Sequence, residues 1–288
     1  MKKKYGVLIG LGLVFLMGGL YFVKRDSKFD IEDSKSKAVY IYNLTDNKKV
    51  YGKNENKPLP MASLTKIMTL LVSLDHVSDL GELAPIDYDS YIRAVSENAS
   101  MAGFLANEAT TYRDLMYGTI LASGAEAADS LAINVAGSID SFVDLMNEKA
   151  GELNLENTSY ANADGMDDKR NFQSAKDCAM LIKYGLEDGN FRAIFTKRDY
   201  LSQATNEHPD GVYIESTIFS HLKDYEENGF EIIGGKSGTT DDAGLCWATL
   251  AEKNGKEYII LVMGVSFSDI DDLPDAHIRE TLEYLDRI

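Results

Sequence analysis

Cysteine is scarce in this chain of 288 residues, which contains only Cys178 and Cys246. Two cysteines are too few for a disulfide framework, and the sequence leaves open whether they pair. Basic residues are also in deficit, because 29 lysines and arginines stand against 46 aspartates and glutamates, for a net charge of −17. Such an acidic surface repels phosphate groups, so neither nucleic acid nor an anionic lipid surface is expected as a partner.

Histidine is rare as well, and the four histidines show no metal-ligand spacing. No metal and no cofactor are therefore expected. The stretch Gly235-Lys236-Ser237 superficially suggests a phosphate-binding loop. The earlier glycine that such a loop requires would fall at position 230, which is Phe230, and a strand rather than a helix is predicted to follow. Nucleotide binding is not expected either.

Long hydrophobic runs are absent apart from one, which extends from Tyr5 to Val23. Its nineteen residues are enough to cross a hydrocarbon core of about 30 Å. Residues 1–25 are therefore predicted to be an N-terminal membrane anchor, with a cleaved signal segment as the alternative. The lysines before the run favour a cytoplasmic N-terminus and an extracytoplasmic remainder. Residues 26–36 are polar and lack periodicity, which indicates a stalk that holds the domain off the membrane.

Residues 37–288 are predicted to form one α/β domain, and a hydrophobic content of 44% supports a real core. A β-hairpin is expected over Ala38–Asn43 and Lys49–Tyr51, and strands return from Phe191 onwards. The segment between reads as helical. This order predicts an α/β lobe of residues 37–80 and 190–288, a helical lobe of residues 81–189 inserted into it, and a cleft between the two. The predicted helices are Tyr88–Val95, Tyr112–Leu121, Glu126–Val135, Ser141–Gly151, Ala175–Tyr184 and Pro274–Arg287, and the later strands Ala193–Leu201, Gly211–Ser216, Phe230–Ile233, Gly244–Ala251 and Glu257–Val265.

Ser63 and Lys66 stand three residues apart at the start of a predicted buried helix. A lysine on a mostly apolar helix must pair, reach solvent or lose its proton. A neutral Lys66 would be a general base within reach of the Ser63 hydroxyl, which is how a weak nucleophile is activated. Alone the pattern is weak, because Ser34 and Lys37 match it within the polar stalk.

Two further stretches follow in a fixed order. Residues 123–125, Ser-Gly-Ala, come after a helix whose start is a predicted cap, Thr111 with Asp114. Residues 236–238, Lys-Ser-Gly, fall in a context that reads as strand, turn, strand. The order Ser-x-x-Lys, Ser-Gly-x, Lys-Ser-Gly resembles that of the penicillin-recognising serine acyl-transferases.

The flanking residues narrow the resemblance to the D-alanyl-D-alanine carboxypeptidases. They are residues 48–60 before the first motif, residues 113–118 before the second, and Asn162-Ala163-Asp164-Gly165-Met166 between the second and the third. The resemblance covers roughly residues 37–288. It implies an antiparallel β-sheet flanked by helices with an inserted all-helical lobe, the β-lactamase/transpeptidase-like fold. It also implies a peptidoglycan stem peptide ending in D-Ala-D-Ala as substrate and β-lactam antibiotics as covalent inhibitors.

The resemblance also implies the roles of individual residues. Ser63 attacks the carbonyl of the penultimate D-alanine, Lys66 takes its proton, and Ser123 relays a proton to the departing D-alanine. The backbone N–H groups of Ser63 and Thr239 form the oxyanion hole. The substrate-binding residues are Lys236, Ser237, Gly238 and Thr239.

Two alternatives and one departure from the family pattern accompany this interpretation. A β-lactamase-like hydrolase would need a glutamate where the chain has Ala150, and a membrane-anchored penicillin or wall-peptide sensor would be acylated once without turnover.

The family's second motif usually ends in asparagine, and here that position is Ala125. One missing hydrogen bond to the substrate is worth about 0.5–1.5 kcal/mol, so weaker but not abolished activity is expected. Glu126 and Asn162 are the first candidates to replace the amide.

Overall fold

A computed structural model describes residues 28–226, 228–266 and 275–288. The predicted membrane anchor, residues 5–23, lies outside this range. Within the described residues, no helix combines the length and the apolar character that crossing a membrane would require.

The strands of the described residues are β1 Ala38–Asn43, β2 Lys48–Lys53, β3 Thr158–Ser159, β4 Phe172–Gln173, β5 Asp199–Leu201, β6 Tyr213–Glu215, β7 Phe230–Thr240, β8 Gly244–Lys253 and β9 Lys256–Val265. Five of them form an antiparallel sheet with the strand order β2-β1-β9-β8-β7. The predicted N-terminal hairpin is present as β1 and β2, and β1 also pairs with β9, with Ala38 opposite Met263. β7 stands at one edge of the sheet.

Helices cover both faces of this sheet, and several more lie in the segment between β2 and β7. The helices are α1 Thr65–His76, α2 Tyr88–Ser96, α3 Tyr112–Ile120, α4 Ala125–Ala136, α5 Ile139–Glu152, α6 Ala175–Gly185, α7 Gly189–Phe195, α8 Thr217–Leu222 and α9 Ala276–Arg287. α9 packs on β8 and β9, whereas α6 packs on β9 and β1. Along β9, Ile260 and Val262 therefore join the core with α9, and Ile259 and Leu261 join the other core, because successive side chains point to opposite faces.

The helix predicted after a cap at Thr111 is confirmed together with its cap. The Thr111 hydroxyl accepts a hydrogen bond from the backbone N–H of Asp114, and the Asp114 carboxylate accepts one from the Thr111 N–H. This reciprocal pair satisfies two N–H groups that have no partner inside the helix. α3 is thereby fixed at its start, and the chain after it leads directly to Ser123.

The strand predicted over Ala193–Leu201 needs correction. The segment from Ala193 is not a strand at first, because Asp188 caps a helix, α7, that buries Phe191, Ile194 and Phe195 on one side. The signal was present in the spacing of these three residues, which is helical. In addition, α8 occupies residues 217–222, where no helix was predicted.

The strand predicted to end at Ile233 continues to Thr240 as β7. The glycines that indicated a turn instead allow close approach of neighbouring backbone. A Cβ atom at Gly234 would lie 2.4 Å from the Phe195 carbonyl oxygen, and one at Gly235 would lie 2.2 Å from that of Ala248. Lys236, Ser237 and Gly238 consequently lie within a strand.

The described part of the predicted stalk, from Lys28 to Ser36, contains no helix or strand and packs on the domain. Phe29 is buried in the core beside α9. The Glu280 carboxylate of α9 accepts hydrogen bonds from the Ser34 hydroxyl and from the backbone N–H groups of Lys35 and Ser36. These contacts attach the segment to the last helix. The stalk and the assignment of residues to two lobes stay predictions.

Candidate active site

Ser63 lies in a 3₁₀ turn, Ala62–Leu64, immediately before α1 rather than inside the α-helix itself. The backbone of Ala62 is left-handed, with a φ of 49°. The Thr65 hydroxyl donates to the Ala62 carbonyl oxygen at 2.9 Å and fixes this turn. Ser63 is half-buried between buried neighbours, so the turn presents its hydroxyl to the adjacent cavity.

Lys66, in the first turn of α1, brings its amine to Ser63 as the spacing predicts. Its Nζ atom lies 3.2 Å from Ser63 Oγ and also donates a hydrogen bond to the backbone carbonyl oxygen of Asp164. Only 2% of Lys66 is exposed, so water does not compensate its charge. Two polar atoms thus hold the amine where it can receive a proton from the serine.

The environment of Lys66 favours its neutral form. The pKa of Lys66 is lowered from 10.5 to about 8. Burial is the largest cause and Arg93 also lowers the pKa, whereas the carboxylates of Asp164 and Glu126 raise it. With a pKa near 8, about a tenth of Lys66 is neutral at pH 7, against roughly one in three thousand for an ordinary lysine. The lysine is therefore a usable base at neutral pH.

A pH dependence follows from this lowered pKa. The second-order rate of covalent modification of Ser63 by penicillin should rise with pH, with an apparent midpoint of about 8, and then level off. The direction follows because only the deprotonated amine accepts the hydroxyl proton. Stopped-flow measurement of acylation against pH checks this expectation. A rate that is flat from about two pH units below this midpoint to about one unit above it would exclude Lys66 as the base.

Ser123 lies in the tight connection between α3 and α4 and has a left-handed backbone, with a φ of 62°. The connection is fixed by the Gly124 N–H, which donates to the Gly118 carbonyl at 3.0 Å, and by the Ala125 N–H, which donates to the Ser100 carbonyl at 2.8 Å. An L-residue in this conformation is uncommon and is tolerated where the surroundings fix it. The turn places Ser123 in the wall of the cavity that Ser63 faces.

The Lys-Ser-Gly stretch lies on β7, beside the Ser63 turn. Lys236 is fully buried, and its Nζ donates to the Ser237 carbonyl oxygen at 2.6 Å. Burial, and then the charge of Lys66, lower the pKa of Lys236 well below its ordinary value. The Ser237 and Thr217 hydroxyl oxygens lie 2.8 Å apart. A Cβ at Gly238 would come within 3.0 Å of the Ser63 nitrogen, so the strand passes close to the turn.

A cavity of about 400 Å³ connects these parts. Of the predicted site residues, Ser63, Lys66, Ser123 and Thr239 line it, whereas Lys236, Ser237 and Gly238 stand on the adjoining strand and are not among its lining residues. Residues 97–100, Thr240 and Asp241 also line it and were not predicted. No local pattern singles them out, because they reach the cavity only through the packing of separate elements.

The loop after β3 forms another part of the cavity wall, from Asp164 to Asp167. The Asn162 side chain supports it, since its Oδ1 accepts from the Gly165 N–H at 2.8 Å and its Nδ2 donates to the Met166 carbonyl at 2.9 Å. The Thr69 hydroxyl of α1 donates to the Ala163 carbonyl at 2.6 Å. The loop is thereby attached to the helix that carries Lys66.

Ala125 also lines the cavity, and neither of the two expected residues supplies the missing amide. Asn162 is occupied by the loop backbone, as described above. Glu126 points to a different segment, where its Oε1 accepts from the Ala102 N–H at 2.6 Å and the Gly103 N–H at 3.1 Å. Among the described residues that line the cavity, Asn98 is the one with a side-chain amide, and it is exposed at the rim.

The described residues contain no group of three histidine, cysteine, aspartate or glutamate side chains that could hold a metal ion. Cys178 and Cys246 are both buried and free of disulfide bonding. The arrangement is instead a buried amine beside a hydroxyl, with a second hydroxyl in the same cavity. Such a group of residues suits nucleophilic acyl transfer.

Comparison with known proteins agrees with this chemistry. The family described as D-alanyl-D-alanine carboxypeptidase matches residues 24–266. The D-alanyl-D-alanine carboxypeptidase DacF of Bacillus subtilis is 32% identical over 266 residues, which are 90% of this chain and 65% of DacF. The D-alanyl-D-alanine endopeptidase of Pseudomonas aeruginosa is 31% identical over 155 residues, which are 52% of this chain and 47% of that protein. The chain thus spans less than two thirds of the length of either relative.

Solved structures show the same fold. The crystal structure of a Streptomyces DD-transpeptidase matches with a TM-score of 0.77 and 24% identity, covering 90% of this chain and 98% of that one. A D-alanyl-D-alanine carboxypeptidase from Mycobacterium tuberculosis matches with a TM-score of 0.76 and 22% identity, over 92% and 95% of the two chains. The predicted antiparallel sheet with flanking helices is confirmed. Since the family match extends over most of the chain and the fold agrees with it, the protein belongs to the D-alanyl-D-alanine carboxypeptidase family of serine peptidases.

Proposed function

We propose that this protein is a serine D-alanyl-D-alanine carboxypeptidase that removes the terminal D-alanine from peptidoglycan stem peptides. The observation that carries the proposal is the Lys66 amine, which is buried, has a lowered pKa and lies 3.2 Å from Ser63 Oγ. This pair turns an ordinary hydroxyl into a nucleophile at neutral pH. The family membership of the chain supports the choice of substrate.

In the proposed first step, Ser63 Oγ attacks the carbonyl carbon of the penultimate D-alanine, and Lys66 takes the hydroxyl proton. The backbone N–H groups of Ser63 and Thr239 stabilise the resulting oxyanion. The peptide C–N bond then breaks, and Ser123 passes a proton to the nitrogen of the leaving D-alanine. An ester between Ser63 and the shortened peptide remains, and water hydrolyses it to regenerate the serine.

The terminal carboxylate of the substrate is assigned to Lys236, Ser237 and Thr239. Lys236 and Lys66 are both buried, so each opposes the charging of the other. An incoming substrate carboxylate would raise the pKa of Lys236 again, because an adjacent anion favours the ammonium form. Substrate binding would therefore place the positive charge on Lys236 and leave Lys66 neutral as the base. The edge position of β7 and the small Gly238 allow an extended peptide to pair with the strand.

The proposed setting is extracytoplasmic, at the peptidoglycan layer, with β-lactam antibiotics as covalent inhibitors that imitate the D-Ala-D-Ala end. An uncleaved anchor over residues 5–23 is part of this proposal and is supported by the sequence alone. A β-lactamase-like activity finds no support, because Ala150 occupies the position of the required glutamate. Glu152, two residues further on, has an exposed side chain on α5 that pairs with Lys149.

Turnover tests the proposed function. A chain that begins near Lys28 should release many D-alanine molecules per enzyme molecule from a pentapeptide ending in D-Ala-D-Ala, as measured by a coupled D-amino-acid oxidase assay. Release that stops at one equivalent, with the peptide left on Ser63, would indicate a sensor instead. Rapid hydrolysis of penicillin without D-alanine release would indicate a β-lactamase-like enzyme. Either result would contradict the proposal.

A further inference from the structure

Arg93 joins three elements beside the cavity, and the roles assigned above do not use it. It lies on α2, and its Nη2 atom is 3.1 Å from Asp164 Oδ2 in the loop of the cavity wall. The same guanidinium group pairs with Asp129 of α4, the helix that follows Ser123. Its Nη1 atom lies 3.9 Å from Glu97 at the rim. One side chain therefore connects α2, α4 and the loop.

Asp164 links this arginine to the lysine. The Asp164 backbone carbonyl accepts a hydrogen bond from Lys66 Nζ, while its carboxylate is held on both oxygens. Oδ2 faces Arg93, and Oδ1 accepts from the Met166 N–H at 3.1 Å. A carboxylate held in this way fixes the orientation of its own residue. The carbonyl that receives Lys66 is thus oriented indirectly by Arg93.

We propose that Arg93 is a positioning residue, which holds Asp164 so that the Asp164 carbonyl keeps Lys66 Nζ within reach of Ser63 Oγ. The inference rests on the proposed function, because Lys66 acts as the base there. Arg93 is not among the residues that line the cavity. It therefore acts through Asp164 and not on the substrate.

The arginine has a second, electrostatic effect on the same lysine. The charged groups that act on Lys66 are the carboxylates of Asp164 and Glu126 and the guanidinium of Arg93. The buried Lys236 amine also faces Lys66, whose charge lowers the pKa of Lys236. Asp129 and Asp164 have almost fully buried side chains, so water does little to neutralise them. Without Arg93, the carboxylates of Asp164 and Glu126 would act on Lys66 unopposed and favour its protonated form. Arg93 thus lowers the pKa of Lys66 in addition to positioning its amine.

The test uses the pH profile of penicillin acylation at Ser63. In Arg93→Gln, the rising limb should move to higher pH by roughly one unit, because unpaired carboxylates favour the charged lysine. In Asp164→Asn, which keeps the backbone carbonyl, the limb should move to lower pH, since a carboxylate beside Lys66 has been removed. A variant that merely loosens the fold would not shift the limb in opposite directions at the two positions.

Arg93→Lys separates position from charge. The lysine keeps a positive charge, so the rising limb of the pH profile should stay near that of the wild type. It cannot bridge Asp129 and Asp164 with one planar group, so the plateau rate of acylation should fall about tenfold. The matched control is Arg170→Gln. Arg170 pairs with Asp168 in the same loop, but its side chain is 78% exposed, and limb and plateau should both stay unchanged.

The inference would be overturned if both Arg93→Gln and Arg93→Lys showed the same pH profile of acylation as the wild type, with the same rising limb and the same plateau rate. If Arg93→Gln does not fold, Arg93→Lys and Asp164→Asn decide, and unchanged profiles in both would overturn it equally. Failure of the proposed function has a different signature, because wild-type protein would then not be acylated at Ser63 at all. Acylated wild type with unresponsive Arg93 variants would refute the positioning role alone.

Discussion

Replacing Ser63 by alanine is expected to abolish covalent labelling by penicillin and to lower D-alanine release by at least about 10³-fold. The change removes the oxygen that Lys66 Nζ approaches to 3.2 Å, and an alanine methyl cannot form the ester. Ser63 is half-buried on the cavity wall, so the substitution leaves no large void and the fold should persist. Intact-protein mass spectrometry after incubation with penicillin measures the loss directly.

The chain itself supplies a matched control for this experiment. Ser34 and Lys37 have the same spacing as Ser63 and Lys66, but Ser34 donates to Glu280 far from the cavity. Ser34→Ala should therefore be labelled as fully as the wild type. Lys66→Met, which keeps the nucleophile and removes the base, should still be labelled at Ser63 but far more slowly. Undiminished labelling of Ser63→Ala would refute the mechanism.

Replacing Gly165 by alanine is expected to reduce acylation by roughly 10²–10³-fold, the loss typical of a misplaced oxyanion-hole donor. Gly165 has a φ of 85°, and a Cβ there would lie 2.2 Å from the Ala62 carbonyl oxygen and 2.9 Å from the Ser63 nitrogen. Backbone atoms cannot yield as a flexible side chain would. The added methyl must therefore displace the peptide between Ala62 and Ser63, which carries the proposed oxyanion donor.

Gly137→Ala is the control that separates backbone strain from this collision. Gly137 has a similar φ of 81°, but a Cβ there would meet nothing within 4 Å. This variant should lose about 1–2 kcal/mol of unfolding free energy and keep its acylation rate. Acylation kinetics together with urea denaturation measure both effects. Equal acylation rates in the two variants would show that Gly165 does not support the Ser63 turn.

Local signals in the sequence were sufficient to predict several contacts in and near the candidate site. The spacing of Ser63 and Lys66 predicted one helical face, and the structure gives a contact between them although Ser63 lies in a 3₁₀ turn. The cap at Thr111 was equally local, because donor and acceptor are three residues apart. Such features depend on chain geometry alone, and therefore a single sequence can reveal them.

Features that depend on distant parts of the chain were not predictable in this way. The Asp164 carbonyl reaches Lys66 across 98 residues, and Arg93 reaches Asp164 across 71. No periodicity encodes such contacts. The length of β7 was missed for a related reason, since Gly234 and Gly235 accommodate the backbone of Phe195 and Ala248, which only the folded structure brings there. A glycine that permits close approach looks like a turn in the sequence.

The position of β1 between β2 and β9 has a consequence for how the protein folds. Ala38 pairs with Met263, which follows it by more than two hundred residues, so the sheet closes only after all the helices between β2 and β7 have been synthesised. Pairing of such distant segments raises the contact order and slows folding. The Ser63 turn, which Gly238 of β7 approaches closely, cannot take its final form before then. Nascent or partly folded chains should thus be inert towards β-lactams, and labelling with a fluorescent penicillin would time the completion of folding.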